Sequence, residues 1–166
     1  SQNKIPILIY LGQSIKNFIS NNENIEDDDF IENLILNHLN SEIKLNWNKL
    51  QLFEFIKNKK PFFLFDGLDE AVGIKPNLSL LINNFSKKYY NSQIVVSTRF
   101  NSDEIEKISL FTITLLPFTD AQRIEFLKKW FKDDKYIYEK VINHINNNNN
   151  IGDIVRNPLL ISVFCV

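Results

Sequence analysis

The chain has 166 residues, a formal net charge of −1, 44% hydrophobic residues, fourteen Phe and one cysteine. That balance excludes a basic binder of nucleic acid or anionic membrane, a disordered chain and a disulfide scaffold. The length suits one domain, or one domain with a small appendage. No stretch reaches the ~20 apolar residues that span a bilayer, and the N-terminus lacks a signal-peptide pattern. The lone Cys165 sits in an apolar run, which predicts a buried, inert thiol and fits a reducing, cytoplasmic setting.

Ile5 to Leu11 is β-branched and bounded by Gly12, so a strand is expected, with Pro6 at its start or on an edge. Ile15 to Ile19 is a short helix. Asn21 to Asp29 is a polar, acidic loop whose Asp27-Asp28-Asp29 can cap the next helix. That helix runs from about Phe30 to Leu39. A second helix follows, with Leu50, Phe53 and Ile56 on one face and Lys57 to Lys60 at its end, where basic residues favour the helix dipole.

Pro61-Phe62-Phe63-Leu64-Phe65-Asp66-Gly67-Leu68-Asp69-Glu70 comes next. A run without polar alternation predicts a strand covered on both faces, as in a parallel sheet flanked by helices. Ala71 to Asn77 is expected to be a loop. Leu78 to Tyr90 is helical, with Leu81, Ile82 and Phe85 inward. Gln93 to Arg99 and Leu110 to Leu116 are two more buried strands, with a helical turn at Asp103 to Lys107 between them. Strands separated by helices imply a parallel α/β sheet.

From Pro117 onward the pattern is all helical. Thr119 or Asp120 is an N-cap for a helix over Arg123 to Phe131. Tyr136 to Ile145 is another helix. Asn146 to Asn150 reads as a flexible loop. Ile151 to Val155 is a short helix, broken by Asn157-Pro158, after which Leu159 to Val166 continues as an apolar helix. The expected domains are therefore 1–116, α/β, and 117–166, helical.

The chemistry gathers at Asp66, Asp69 and Glu70. In open α/β sheets ligands bind at the carboxyl ends of the strands, where these acids fall. Mg²⁺ is usually held by one or two carboxylates together with water and substrate phosphates. The plainer reading is a solvated Asp-Gly turn. It loses weight because two further acids follow within four residues. A two-carboxylate metal nuclease would need a basic surface or added histidines. His38 and His144 lie in helical segments away from the strand ends. Arg99 ends a parallel strand and should share the edge with Asp66. There it could sense a phosphate or form a plain ion pair with an acid.

Phe63 to Glu70 resembles the extended Walker B motif of NACHT-type P-loop NTPases, the signal-transducing ATPases that include NOD-like receptors. Ile5 to Ile9 resembles the strand that precedes it in that family, and Val95 to Arg99 the sensor-1 strand. Leu116 to Thr119 with its helix, then Arg156-Asn157-Pro158-Leu159-Leu160, resembles the first helical domain and its proline motif. The resemblance implies ATP/ADP and Mg²⁺ as ligands. Asp66 would orient Mg²⁺ through water, Asp69 or Glu70 would polarise the attacking water, Arg99 would be the sensor, and Pro158 would pack on the adenine. Arg156 stands where the family often has a glycine.

The family's phosphate-binding loop, Gly-x-x-x-x-Gly-Lys-Ser/Thr, is not in the sequence, which has four glycines in all. Its place would be upstream of Ser1, so the chain is expected to be a segment of a longer protein. By itself it should bind nucleotide poorly and not hydrolyse it. The parent would be a switch whose nucleotide state controls domain opening and self-association with other protomers, with slow hydrolysis as the reset. The alternative is a degenerate P-loop fold that serves as an interaction module without nucleotide.

Overall fold

The computed structural model describes residues 4–21, 27–99 and 103–166; residues 22–26 of the expected acidic loop lie outside it. Two compact units divide near residue 110.

The first unit is α/β. Strand β1 (Pro6–Tyr10) leads directly into α1 (Leu11–Ser20). Helices α2 (Phe30–Ser41) and α3 (Lys49–Lys59) follow, then β2 (Phe62–Asp66). Next come α4 (Leu68–Val72), α5 (Leu78–Lys88), β3 (Gln93–Val96) and the turn-length α6 (Asp103–Glu106). The strands form a parallel sheet in the order β1-β2-β3. Ile9 pairs with Phe65, and Leu64 with Val95. Pro6 opens β1, an outer strand, where its missing N–H costs nothing.

Side chains alternate across a strand. On one face Ile7, Ile9, Phe63 and Phe65 are buried. Phe85 of α5 sets its edge against both β2 rings, with centroids 5.2 Å from Phe63 and 6.1 Å from Phe65. Edge-to-face contacts of this kind suit the ring quadrupoles. Leu81 and Ile82 are buried beside Phe85, as the spacing predicts.

The opposite face differs from expectation. Leu8 is 41% exposed and Val95 48%, while Phe62 and Leu64 are only half-buried. An apolar run shows that a strand can be covered on both faces, but the second cover has to come from other elements. The expected strand Leu110 to Leu116 is not formed. That segment has no regular structure, and Phe111, Ile113, Leu115 and Leu116 are largely exposed.

Three smaller differences have local causes. In α3 the inward residues are Leu52 and Ile56, whereas Leu50 and Phe53 face solvent. The Asn48 capping box starts this helix at Lys49, and the face that packs on the core is that of Leu52 and Ile56, with Phe55 beside them. Asp29 stands at the α2 N-cap position but makes no capping bond. Its carboxylate pairs instead with Lys88 at 3.1 Å and Lys49 at 3.7 Å. Residues 68–72 form a helix, so Ala71 and Val72 of the expected loop are helical. Gly67 takes a left-handed φ of 80°, which turns the chain from β2 straight into α4.

The second unit is helical: α7 (Asp120–Trp130), α8 (Lys135–Asn146), α9 (Asn149–Ile154) and α10 (Pro158–Phe164). Thr119 caps α7 through a capping box with Gln122. Asn157 caps α10 by accepting the Leu159 N–H at 2.9 Å, and Pro158 occupies the first turn, where it needs no donor. Leu127, Ile145, Val155 and Ile161 form the core. The asparagine run is mostly not loop: α8 extends through Asn146 and α9 begins at Asn149. Asparagine is a neutral-to-poor helix former, so the packing of Ile145 and Ile151 in the core decides the local structure. Cys165 is half-buried, and burial pushes its thiol pKa up, as expected of an inert cysteine.

The one-sided cover of the sheet sets an order for two substitutions. Phe63→Ala should cost about 3–5 kcal/mol, because it empties a closed aromatic cluster. Val95→Thr, on the open face, should stay within ~0.5 kcal/mol. Urea unfolding measures both, and a similar cost for the two would mean that the open face is in fact covered.

Candidate functional site

The carboxyl ends of β1, β2 and β3 lie at one edge, because the sheet is parallel. A cleft of about 510 Å³ opens there, lined in part by Tyr10, Gln13, Asp66, Glu70, Ser97 and Arg99. Each strand contributes the residues just past its end, in keeping with where ligands bind in open α/β sheets.

Asp66 is the last residue of β2 and is exposed to the cleft. The Ser97 hydroxyl donates a short hydrogen bond to its Oδ1. Asp69 and Glu70 follow on the first turn of α4, where acidic side chains are favoured by the helix dipole. Arg99 reaches back over both. Its Nε donates to Asp69 Oδ2 at 2.8 Å and its Nη2 to Glu70 Oε1 at 2.8 Å. The Arg99 backbone N–H adds a longer bond to Asp69 Oδ1 at 3.3 Å.

The two acids are not equivalent. The Asp69 side chain is 15% exposed and that of Glu70 56%. Burial alone would raise the Asp69 pKa. The side-chain and backbone hydrogen bonds from Arg99, with its charge, outweigh burial and hold Asp69 below the ordinary carboxylate value. The same pairing raises the Arg99 pKa further. Glu70 also lies against α1. A Cβ on Gly12 would stand 3.3 Å from Glu70 Cβ, so glycine is what lets the two helices approach here.

Of the residues singled out from the sequence, Asp66, Asp69, Glu70 and Arg99 come together in this cleft. Pro158 lies in the second unit, exposed at the start of α10. Tyr10, Gly12, Gln13, Ser97 and Thr98 also line the cleft and were not expected from sequence. The signal for Tyr10 was available: it ends a strand parallel to β2, and the edge rule that selected Asp66 selects it too. Nothing in its residue type marks Ser97.

Among the described residues no group of three His, Cys, Asp or Glu side chains is placed to hold a metal ion. Mg²⁺ requires no such cage, because it keeps several waters and takes oxygens from phosphates. Asp66 is the carboxylate of the three that does not pair with Arg99, and it is the one that could hold such a cation.

No family model, curated protein or solved structure matches this chain.

The Arg99–Asp69 pair gives a test by titration. In Arg99→Gln the carboxyl of Asp69 should titrate at higher pH than in the unaltered chain, because burial then acts against the carboxylate with less opposition. A depressed carboxyl pKa contributes stability above the unfolded value, about 3.9 for Asp, and loses it as pH falls through the folded value. The stability difference between the two proteins should therefore be present at neutral pH and close in acid. Carboxyl-carbon NMR follows the titration, and an unmoved Asp69 midpoint would show that Arg99 does not set it.

Proposed function

We propose that the cleft is the magnesium-and-phosphate half of a nucleotide site, in a protein that works as a NACHT-like nucleotide switch with a P-loop type of sheet. The observation that carries this reading is the convergence of Asp66, Asp69, Glu70 and Arg99 at one sheet edge, from two neighbouring parallel strands. ATP and ADP bound with Mg²⁺ are the proposed ligands. The bound cation would neutralise phosphate charge and fix its geometry.

The residues divide the work by how firmly each is held. Asp66 faces the cation through water. Asp69, bonded by both the backbone and the side chain of Arg99, orients the guanidinium. Glu70, more exposed and held by a single nitrogen, is the acid that accepts a hydrogen bond from a water in the cleft. Arg99 is 65% exposed, so its guanidinium can turn from Glu70 to a phosphate at small cost. A terminal phosphate then competes with the carboxylates for the same cation, which makes the Arg99 position depend on whether that phosphate is present. Pro158 would pack on the adenine, and opening of the domains on exchange would permit self-association of protomers.

The second reading, an interaction module without nucleotide, is favoured by the open sheet face at Leu8 and Val95. Single-domain proteins seldom leave a continuous apolar surface to water without a use for it.

Calorimetric titration with Mg²⁺–ATP and Mg²⁺–ADP separates the two. The protein to use is this chain joined to any sequence encoded upstream, because the chain by itself lacks the backbone cradle for phosphates. Binding that weakens about tenfold or more in Asp66→Asn is expected, in line with loss of a metal-orienting carboxylate. Absence of binding by the extended protein would favour the interaction module. Unchanged affinity in Asp66→Asn would remove Asp66 from the metal site.

A further inference from the structure

Ser97 holds four consecutive residues of the turn that joins β2 to α4. Its N–H donates to the Phe65 carbonyl at 2.9 Å, and its carbonyl accepts the Leu68 N–H at 2.9 Å. Its hydroxyl accepts the Gly67 N–H at 3.0 Å and donates to Asp66 Oδ1. The two main-chain bonds are continuations of the β2–β3 ladder, and any residue at position 97 could make them. The two hydroxyl bonds depend on the side chain.

A serine hydroxyl has one proton and two acceptor lone pairs. Here the proton goes to the carboxylate and a lone pair takes the amide, so each bond fixes the other's geometry. Gly67 is left-handed, with its N–H directed at Ser97 rather than at a helical partner. Among the described residues the Asp66 carboxylate has no other hydrogen-bond or ion-pair partner. The χ2 torsion of Asp is broad, and the Ser97 hydroxyl is the group that selects one orientation of this carboxylate. Ser97 and Arg99 follow the end of β3 and both line the cleft. Ser97 holds Asp66, and Arg99 holds Asp69.

We propose that Ser97 is the positioning residue for Asp66: by occupying Oδ1 it sets the plane of the carboxylate and leaves Oδ2 as the oxygen that meets a divalent cation. The assignment rests on the reading of the cleft as a magnesium-and-phosphate site. It adds a hydroxyl to that site which does not touch the cation itself.

The test uses Mn²⁺ alone as the probe, titrated into the whole chain, with line broadening of the Asp66, Gly67 and Leu68 amides read by NMR. Ser97→Ala should need about 10–100-fold more Mn²⁺ for the same broadening, the usual cost of losing a residue that orients a ligand. Ser97→Thr, which keeps the hydroxyl, should restore the unaltered response. A purely structural role for Ser97 would not separate Thr from Ala in this way. If Ser97→Ala does not fold, as judged by its amide spectrum, Ser97→Cys takes its place, with similar shape and a much weaker hydrogen bond. Equal broadening in the unaltered and Ala (or Cys) chains would overturn the positioning role and leave the cation site standing. A loss that Thr does not restore would overturn it too. No broadening near Asp66 in the unaltered chain would overturn both the positioning role and the cation reading.

Discussion

Main-chain and hydroxyl hydrogen bonds between Ser97 and Phe65, Asp66, Gly67 and Leu68 join the end of β3 to the turn after β2. They bring the acids of one strand and the arginine of the next to the same edge. Gly67 turns the chain into α4 at the point these bonds hold. The first turn of α4 carries Asp69 and Glu70, so the direction of that turn decides whether these acids face Arg99. Parallel pairing supplies the coarse alignment, and the Ser97 bonds supply the fine one.

The core beneath the cleft makes this edge rigid. Phe63, Phe65 and Phe85 form a closed aromatic cluster under β2, and Ile7 and Ile9 extend it under β1. Packed aromatic rings tolerate little displacement, because interiors are filled almost as densely as organic crystals. A polar cleft above such a floor keeps its side chains within hydrogen-bond reach of one another. Its electrostatics are local. Asp69 is shielded and doubly bonded, while Glu70 is exposed and held at one point. An exposed ion pair contributes little to stability, so the Arg99–Glu70 bond is easily exchanged for another partner. The Arg99–Asp69 bond is the firmer of the two.

Much of the first unit was legible from residue pattern. The β-branched and aromatic runs marked β1, β2 and β3, and the residues between them were helical. The inward set Leu81, Ile82 and Phe85 followed from helical spacing. Asp66, Asp69, Glu70 and Arg99 were legible as a group because parallel strands place their carboxyl ends together. Less was legible where a local pattern needs a partner. Leu110 to Leu116 has strand composition but pairs with no strand among the described residues; it has no regular structure, and residues 111–116 are exposed. Leu50 and Phe53 had the right spacing for an inward face, but the core took Leu52 and Ile56 with Phe55 instead, a choice made by packing. Asp29 looked like a helix cap, and two lysines distant in sequence took its carboxylate instead.

Sequence by itself determined the class of the chain: an α/β unit followed by helices, with carboxylates and an arginine at the strand ends. Those features follow from short-range rules, side-chain periodicity and the common direction of parallel strands. Tertiary structure alone decided which face of the sheet is covered, which acid is shielded and which is exposed, and that Ser97 bonds Asp66. These depend on contacts between residues thirty or so positions apart, such as Ser97 with Asp66 and Arg99 with Asp69. No local pattern encodes such a contact, because a serine or an arginine at a strand end is compatible with many partners until the register of β2 on β3 selects one.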